Sequence, residues 1–141
     1  MGKVGMSVLT KGLAMDFERE GKRNMAITSI WPASAIQSGA TRDSPPEQLR
    51  TAGIFSQAIL QLLKAPASTV NGGIVTDEDF LRDVAGFSDA DIDKFNLVPG
   101  SNPRRMLPRE FPELRVAEHA DEGEQRNSVE LRKQGKQNAK L

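Results

Sequence analysis

Residues 25–32 read Met-Ala-Ile-Thr-Ser-Ile-Trp-Pro, and residues 71–76 read Asn-Gly-Gly-Ile-Val-Thr. The first run is rich in β-branched residues and stops at a proline, which predicts a strand over Met25–Trp31. The second joins a turn signal to a β-branched triplet and predicts a short strand over Ile74–Thr76. Helical patterns lie before and between them. The order helix, strand, helix, strand is the α/β pattern in which helices pack over a parallel sheet. Two strands do not make a stable sheet alone, so one edge of the Met25–Trp31 strand should want a partner.

The leading helix is predicted over residues 3–20, from Lys3 to Glu20, and ends at Gly21. At 100° per residue, Val4, Val8 and Met15 fall on one side, and Met6, Leu9, Leu13 and Phe17 on another. Gly5 and Gly12 lie between these sides on one face. Apolar surface covers more than half the circumference, which predicts a helix buried on two sides. The glycines would let a second backbone approach closely, either within the core or from another subunit. A second helix is expected from Pro46 to Lys64, carrying Leu49, Ala52, Ile54, Phe55, Ile59, Leu62 and Leu63. Asp77 should cap a short helix through Val84, and Ser88–Phe95 a further helical turn. The acidic run Asp77-Glu78-Asp79 reads as a first turn facing the positive end of the helix dipole rather than as a metal site.

The chain has 141 residues with 19 basic and 19 acidic side chains. That length suits one domain, and the charge balance argues against tracking a phosphate backbone, hence against nucleic acid. Cysteine is absent, which removes disulfides and thiolate chemistry; the single histidine, His119, makes a multi-histidine metal site a poor expectation. No apolar run approaches the ~18 residues of a membrane span, and no secretory signal pattern opens the chain. A cytoplasmic or otherwise intracellular protein is expected. Composition shifts near residue 103: residues 104–141 hold nine basic and seven acidic side chains among 38. A segment that polar cannot offset its ordering entropy by burial. Residues 1–103 therefore read as the folded body and 104–141 as a mostly disordered tail, with Met106, Leu107 and Phe111 as its contacts to the body.

Three segments follow one known family in order and spacing: residues 1–7, residues 26–32, and residues 71–78. Together they resemble the C-terminal half of a short-chain dehydrogenase/reductase, nearest the hydroxysteroid dehydrogenase-like branch, which shares Trp31-Pro32 followed by Ala35-Ile36. The resemblance covers about residues 1–100. It implies part of a doubly wound Rossmann-type parallel sheet and NAD(P) as cofactor. Lys3 matches the lysine of the family's Tyr-x-x-x-Lys pair, which holds the nicotinamide ribose and lowers the tyrosine pKa. The sequence contains no tyrosine, and the matching position falls before Met1. The family's carbonyl-polarising serine and glycine-rich phosphate fingerprint have no counterpart in these residues. The family's Pro-Gly-x-Val-x-Thr loop corresponds to Pro32-Ala33-Ser34-Ala35-Ile36-Gln37-Ser38, one residue longer, lacking the glycine and with Ser for Thr. By position Pro32, Ile36 and Ser38 would meet the cofactor, Ile36 through its backbone at the carboxamide. Residues 37–50 would form the substrate lid.

Each of these residues also has a plainer reading: Lys3 as a solvated lysine, Ser38 as a loop polar residue, Trp31 as a packing anchor. The final residues Ala139-Lys140-Leu141 are a conservative variant of the Ser-Lys-Leu peroxisomal address. Read by an import receptor, they would place the protein in the peroxisome. Two functions follow. In one, the chain is part of an NAD(P)-dependent short-chain oxidoreductase and inactive as these 141 residues. In the other, it is a non-catalytic interaction protein that docks helix 3–20 on a full-length short-chain dehydrogenase or on a second copy of itself.

Overall fold

The computed structural model describes residues 2–110. Helix α1 spans Gly2–Arg19. It ends as expected: Gly21 takes a positive φ of 69°. There the Gly21 N–H donates to the Glu18 carbonyl and the Lys22 N–H to Phe17, a closed Schellman turn. Strand β1 is Ser29–Trp31, shorter than the predicted Met25–Trp31. Strands β2 (Ala35–Ile36) and β3 (Leu49–Arg50) follow, then helices α2 (Gly53–Lys64) and α3 (Ala67–Val70). Strand β4 (Ile74–Thr76) and helices α4 (Asp77–Asp83) and α5 (Asp89–Asp93) complete the order.

Strands β1 and β4 pair in parallel, with Ser29 opposite Ile74 and Trp31 opposite Thr76. Among the described residues no strand lies along the other edge of β1. A second parallel pair joins β2 to β3, Ala35 opposite Leu49 and Ile36 opposite Arg50. This pair corrects the expected helix from Pro46: Pro46–Gln48 is one 3-10 turn, Leu49–Arg50 is strand, and the helix starts at Gly53. The Leu49 carbonyl accepts from Leu97 N–H, and Thr51 N–H donates to the Phe95 carbonyl, so extended backbone satisfies these groups instead of a helical turn. The short helix α3 was not expected.

Alternation along β1 sorts its side chains between two layers. Ile30 packs on a core of Ile54 and Ala58 from α2, Leu81 from α4 and Ile92 from α5, joined by Ile36, Phe87 and Phe95. Ser29 and Trp31 turn to α1: the Ser29 and Thr10 hydroxyls share a 2.7 Å hydrogen bond, and the Trp31 indole N–H donates to Ser7 Oγ. Helix α1 buries only Ser7, Thr10 and Ala14. Four of its large apolar residues stay out, with Met6 60% and Leu9 59% exposed and Val4 and Val8 exposed as well, while Leu13, Met15 and Phe17 are half-buried. The expected burial on two sides is therefore not met by the described residues. Gly5 and Gly12 face open space, and among the described residues no other backbone approaches them.

Residues 104–110 lie on the body. Arg105 bridges to Ser34, and the Met106 N–H donates to the Ala33 carbonyl. The expectations for Phe111, His119, the remaining tail and Ala139–Leu141 fall outside the described residues.

Candidate functional site

A groove of about 650 Å³ runs along the free edge of β1 between α1 and α2. Its floor is backbone. Ser29 N–H donates to the Gly73 carbonyl on the β4 side. In a parallel ladder successive residues point their amide and carbonyl to opposite edges, so those of Thr28 and Ile30 face the groove. Met6 and Leu9 of α1 and Phe55 of α2 supply apolar walls. Lys3, in the first turn of α1, and Pro32, just past the carboxyl end of β1, both line it. Open α/β sheets bind ligands beyond the carboxyl ends of their strands, the end of β1 at which Pro32 stands.

Of the four cofactor positions expected from the sequence, the structure thus brings Lys3 and Pro32 together. Ile36 and Ser38 are not among the residues lining the groove. Ile36 sits half-buried in β2. Gln37 N–H donates to the Arg50 carbonyl, so the amide and carbonyl of Ile36 point away from β3. Its carbonyl accepts from Thr41 Oγ1 at 2.8 Å. Ser38 is exposed at the head of the 3-10 turn Gly39–Thr41; its N–H donates to Thr41 Oγ1, and its own Oγ lies 3.4 Å from that atom. The hydroxyl of Ser38 is therefore engaged within its own turn.

The start of this loop is held by charge, which the sequence reading missed. Asp77 Oδ1 accepts from the Ala33 N–H and from the Glu78 N–H, both at 2.8 Å. Ser34 Oγ donates to Glu78 Oε1 at 2.8 Å, and Arg50 Nε donates to the same oxygen at 2.6 Å. Arg82 Nη1 reaches Glu78 Oε2, and Asp79 is clamped by both terminal nitrogens of Arg105. Arg50 Nη1 binds Asn96 Oδ1 and the Ile92 carbonyl, tying the network to α5. Burial pushes the Asp77 carboxyl up to about 6, against the two backbone donors that pull it down. Burial also opposes ionisation of Glu78, but the hydrogen bonds from Arg50 and Ser34 outweigh it and leave its pKa below the usual range. Asp79 is lowered in the same way by Arg105 and Thr76.

The signal for this cluster was the run Asp77-Glu78-Asp79 itself. Its partners Arg50 and Arg105 lie too far along the chain for spacing to reveal them. The expected cap also shifts by one residue: Thr76 is the N-cap of α4, accepting from Asp79 N–H, and Asp77 is its first helical residue. Among the described residues no helix is long and apolar enough to cross a membrane.

No protein-family model matches the chain. No curated protein matches it either. Solved structures do. A short-chain dehydrogenase from Mycobacterium thermoresistibile superposes with a TM-score of 0.61 at 24% identity, covering 74% of this chain and 36% of its own. A chain from Xanthomonas campestris described as a dehydrogenase gives a TM-score of 0.61 at 26% identity, covering 76% of this chain and 38% of its own. The chain has a short-chain dehydrogenase-like α/β fold, and it spans well under half the length of the structures it resembles.

Proposed function

We propose that these residues form the C-terminal part of an NAD(P)-dependent short-chain oxidoreductase domain. In this reading they carry the lysine and the loop that border the nicotinamide end of the cofactor. The observation that carries it is that Lys3 and Pro32 line one groove beside an edge of β1 whose backbone groups no described strand pairs. When bound, NAD(P) would give or take the hydride exchanged between carbonyl and alcohol. Lys3 would hold the ribose hydroxyls and, as a cation, favour the phenolate of a tyrosine that these 141 residues do not contain. Pro32 would border the carboxamide end; Ile36 and Ser38, which do not line the groove, would have to reach it by movement of the 33–38 loop. The glycine-rich cradle for the pyrophosphate is not in this sequence, so the residues present fit only one end of the cofactor.

The test joins the chain to an upstream segment that places a tyrosine four residues before Lys3. Carbonyl reduction with NADH or NADPH should appear in the joined protein and fall at least about a hundredfold in Lys3→Met, the scale of a lost catalytic group. Turnover by the 141-residue chain alone would overturn the proposal.

The finer assignment to the hydroxysteroid dehydrogenase-like branch rests on Trp31-Pro32 with Ala35-Ile36, and a peroxisomal location on Ala139-Lys140-Leu141. An import receptor would be the partner for the latter.

A second reading is favoured by the exposed Val4, Met6, Val8 and Leu9 of α1. In it the chain is a non-catalytic protein that docks this helix on a full-length short-chain dehydrogenase or on its own copy. Gel filtration of the chain, alone and with such a dehydrogenase, distinguishes it. A complex at micromolar concentration that Leu9→Asp abolishes supports this reading, and none at all refutes it.

A further inference from the structure

On the other side of segment 32–34 from the groove, Ser34 borders a second hollow of about 430 Å³. Five arginines line it: Arg50 and Arg82 at its inner wall, and Arg104, Arg105 and Arg109 from the segment that crosses over it. Charge within the cluster does not balance. Glu78 is shared by Arg50 and Arg82. Asp79 is shared by Arg105 and, at 3.8 Å, Arg109. Asp89 partners Arg82 from an exposed position, and Arg104 has no ion pair among the described residues. Against five guanidiniums stand these three carboxylates, with the buried Asp77 behind them, so positive charge is in surplus whichever form Asp77 takes.

Spare donors point the same way. Arg50, whose side chain is 5% exposed, uses Nε and Nη1 on Glu78, Ile92 and Asn96. Arg82 uses Nε and Nη1 on Asp89 and Glu78. The Nη2 groups of both make no hydrogen bond among the described residues. No buried side-chain nitrogen or oxygen among the described residues lacks a partner, so neither Nη2 group is fully buried, and both arginines line the hollow. The Arg104 backbone N–H donates to Gln48 Oε1 at 3.1 Å, which holds this exposed residue at the hollow it lines.

We propose that this hollow binds a small phosphate-type dianion, free or as the phosphate of a larger ligand. The inner Nη2 groups of Arg50 and Arg82 would donate to it, and Arg104 and Arg109 would close over it from the rim. Separate guanidiniums converging from several directions suit a tetrahedral oxyanion, whereas one planar carboxylate is satisfied by one fork. The site shares no residue with the groove that holds Lys3, and it does not depend on the function proposed above.

Calorimetric titration of the full 141-residue chain with inorganic phosphate and with acetate at low ionic strength tests it. Saturable phosphate binding is expected, weakened about tenfold by Arg104→Glu and again by Arg109→Glu, and weakened by added salt. Both arginines are exposed, so far-UV circular dichroism should be unchanged in either variant. Lys3→Met should bind phosphate like the parent chain. A phenyl phosphate arm that binds as tightly as inorganic phosphate would mark the phosphate group as what is recognised. Absence of saturable binding, indifference to both rim variants, or acetate binding as tightly as phosphate would overturn the proposal.

Discussion

On one side of β1, Ile30 meets Ile54, Ala58, Leu81 and Ile92, all of them fully buried. On the other side, α1 meets β1 through Ser7, Thr10 and Ala14 and leaves Val4, Met6, Val8 and Leu9 to solvent. The first interface follows the ordinary rule that apolar side chains face inward. The second inverts it. Small and hydroxyl side chains let α1 lie close to the strand and bond to Ser29 and Trp31, while its larger side chains flank a groove. The difference teaches where this α/β unit is closed and where it is built to continue. The closed side is held by a core and by the Arg50–Glu78 network. The open side ends in a strand edge without a described partner.

Breaking the closed side should have the largest effect. Arg50→Met leaves Glu78 buried with Arg82 and Ser34 as its remaining partners and strips Asn96 of a donor. Loss of one member of a buried pair costs about 3–5 kcal/mol, so urea unfolding of this variant should show the α2–α4 region largely lost.

Asp77 gives the next effect, through pH. Its carboxyl stands at about 6 in the folded chain against 3.8 ordinarily. The folded state therefore holds that proton more tightly, and the stability linked to Asp77 is present at low pH and is lost as pH rises from about 4 through 6. The two-unit difference corresponds to about 3 kcal/mol. Glu78 and Asp79 carry the opposite sign, because their lowered values help only above the ordinary carboxylate range and fail in acid. Asp77→Asn should remove the loss between pH 4 and 6, measured by urea unfolding at both ends of that interval. An unchanged slope would contradict the burial of this group.

The smallest effect sharpens the open side. Gly12→Ala meets no atom within 4 Å, so in the chain alone it should raise stability by about 0.5–1 kcal/mol through helix propensity. A loss instead would mean that a backbone does approach this face.

Local pattern made α1, the body of α2, and β4 legible, because apolar spacing, a glycine stop and β-branched triplets act within one turn or strand. The resemblance of residues 1–7, 26–32 and 71–78 pointed to Lys3 and Pro32 together, and both line one groove. Strand β3 was hidden because two residues are too few to show alternation, and its partners Ala35 and Leu97 come from elsewhere in the chain. The fate of α1 was hidden for a related reason. Its apolar flanks said that they should be covered, and only the structure shows that Ser7, Thr10 and Ala14 form the seam. The acidic run at Asp77 looked like a dipole complement because the arginines that pair with it are distant in sequence.

Residue-resolved amide hydrogen exchange on the 141-residue chain tests the contrast between the two sides most directly. The account predicts slow exchange at Arg50-bonded Gln37 and through Ile54–Ala58 and Leu81. It predicts fast exchange along α1 and at Thr28 and Ile30, whose amides face the groove. Protection of α1 and Ile30 equal to that of α2 would contradict it, because the open side would then be closed by something these residues already contain.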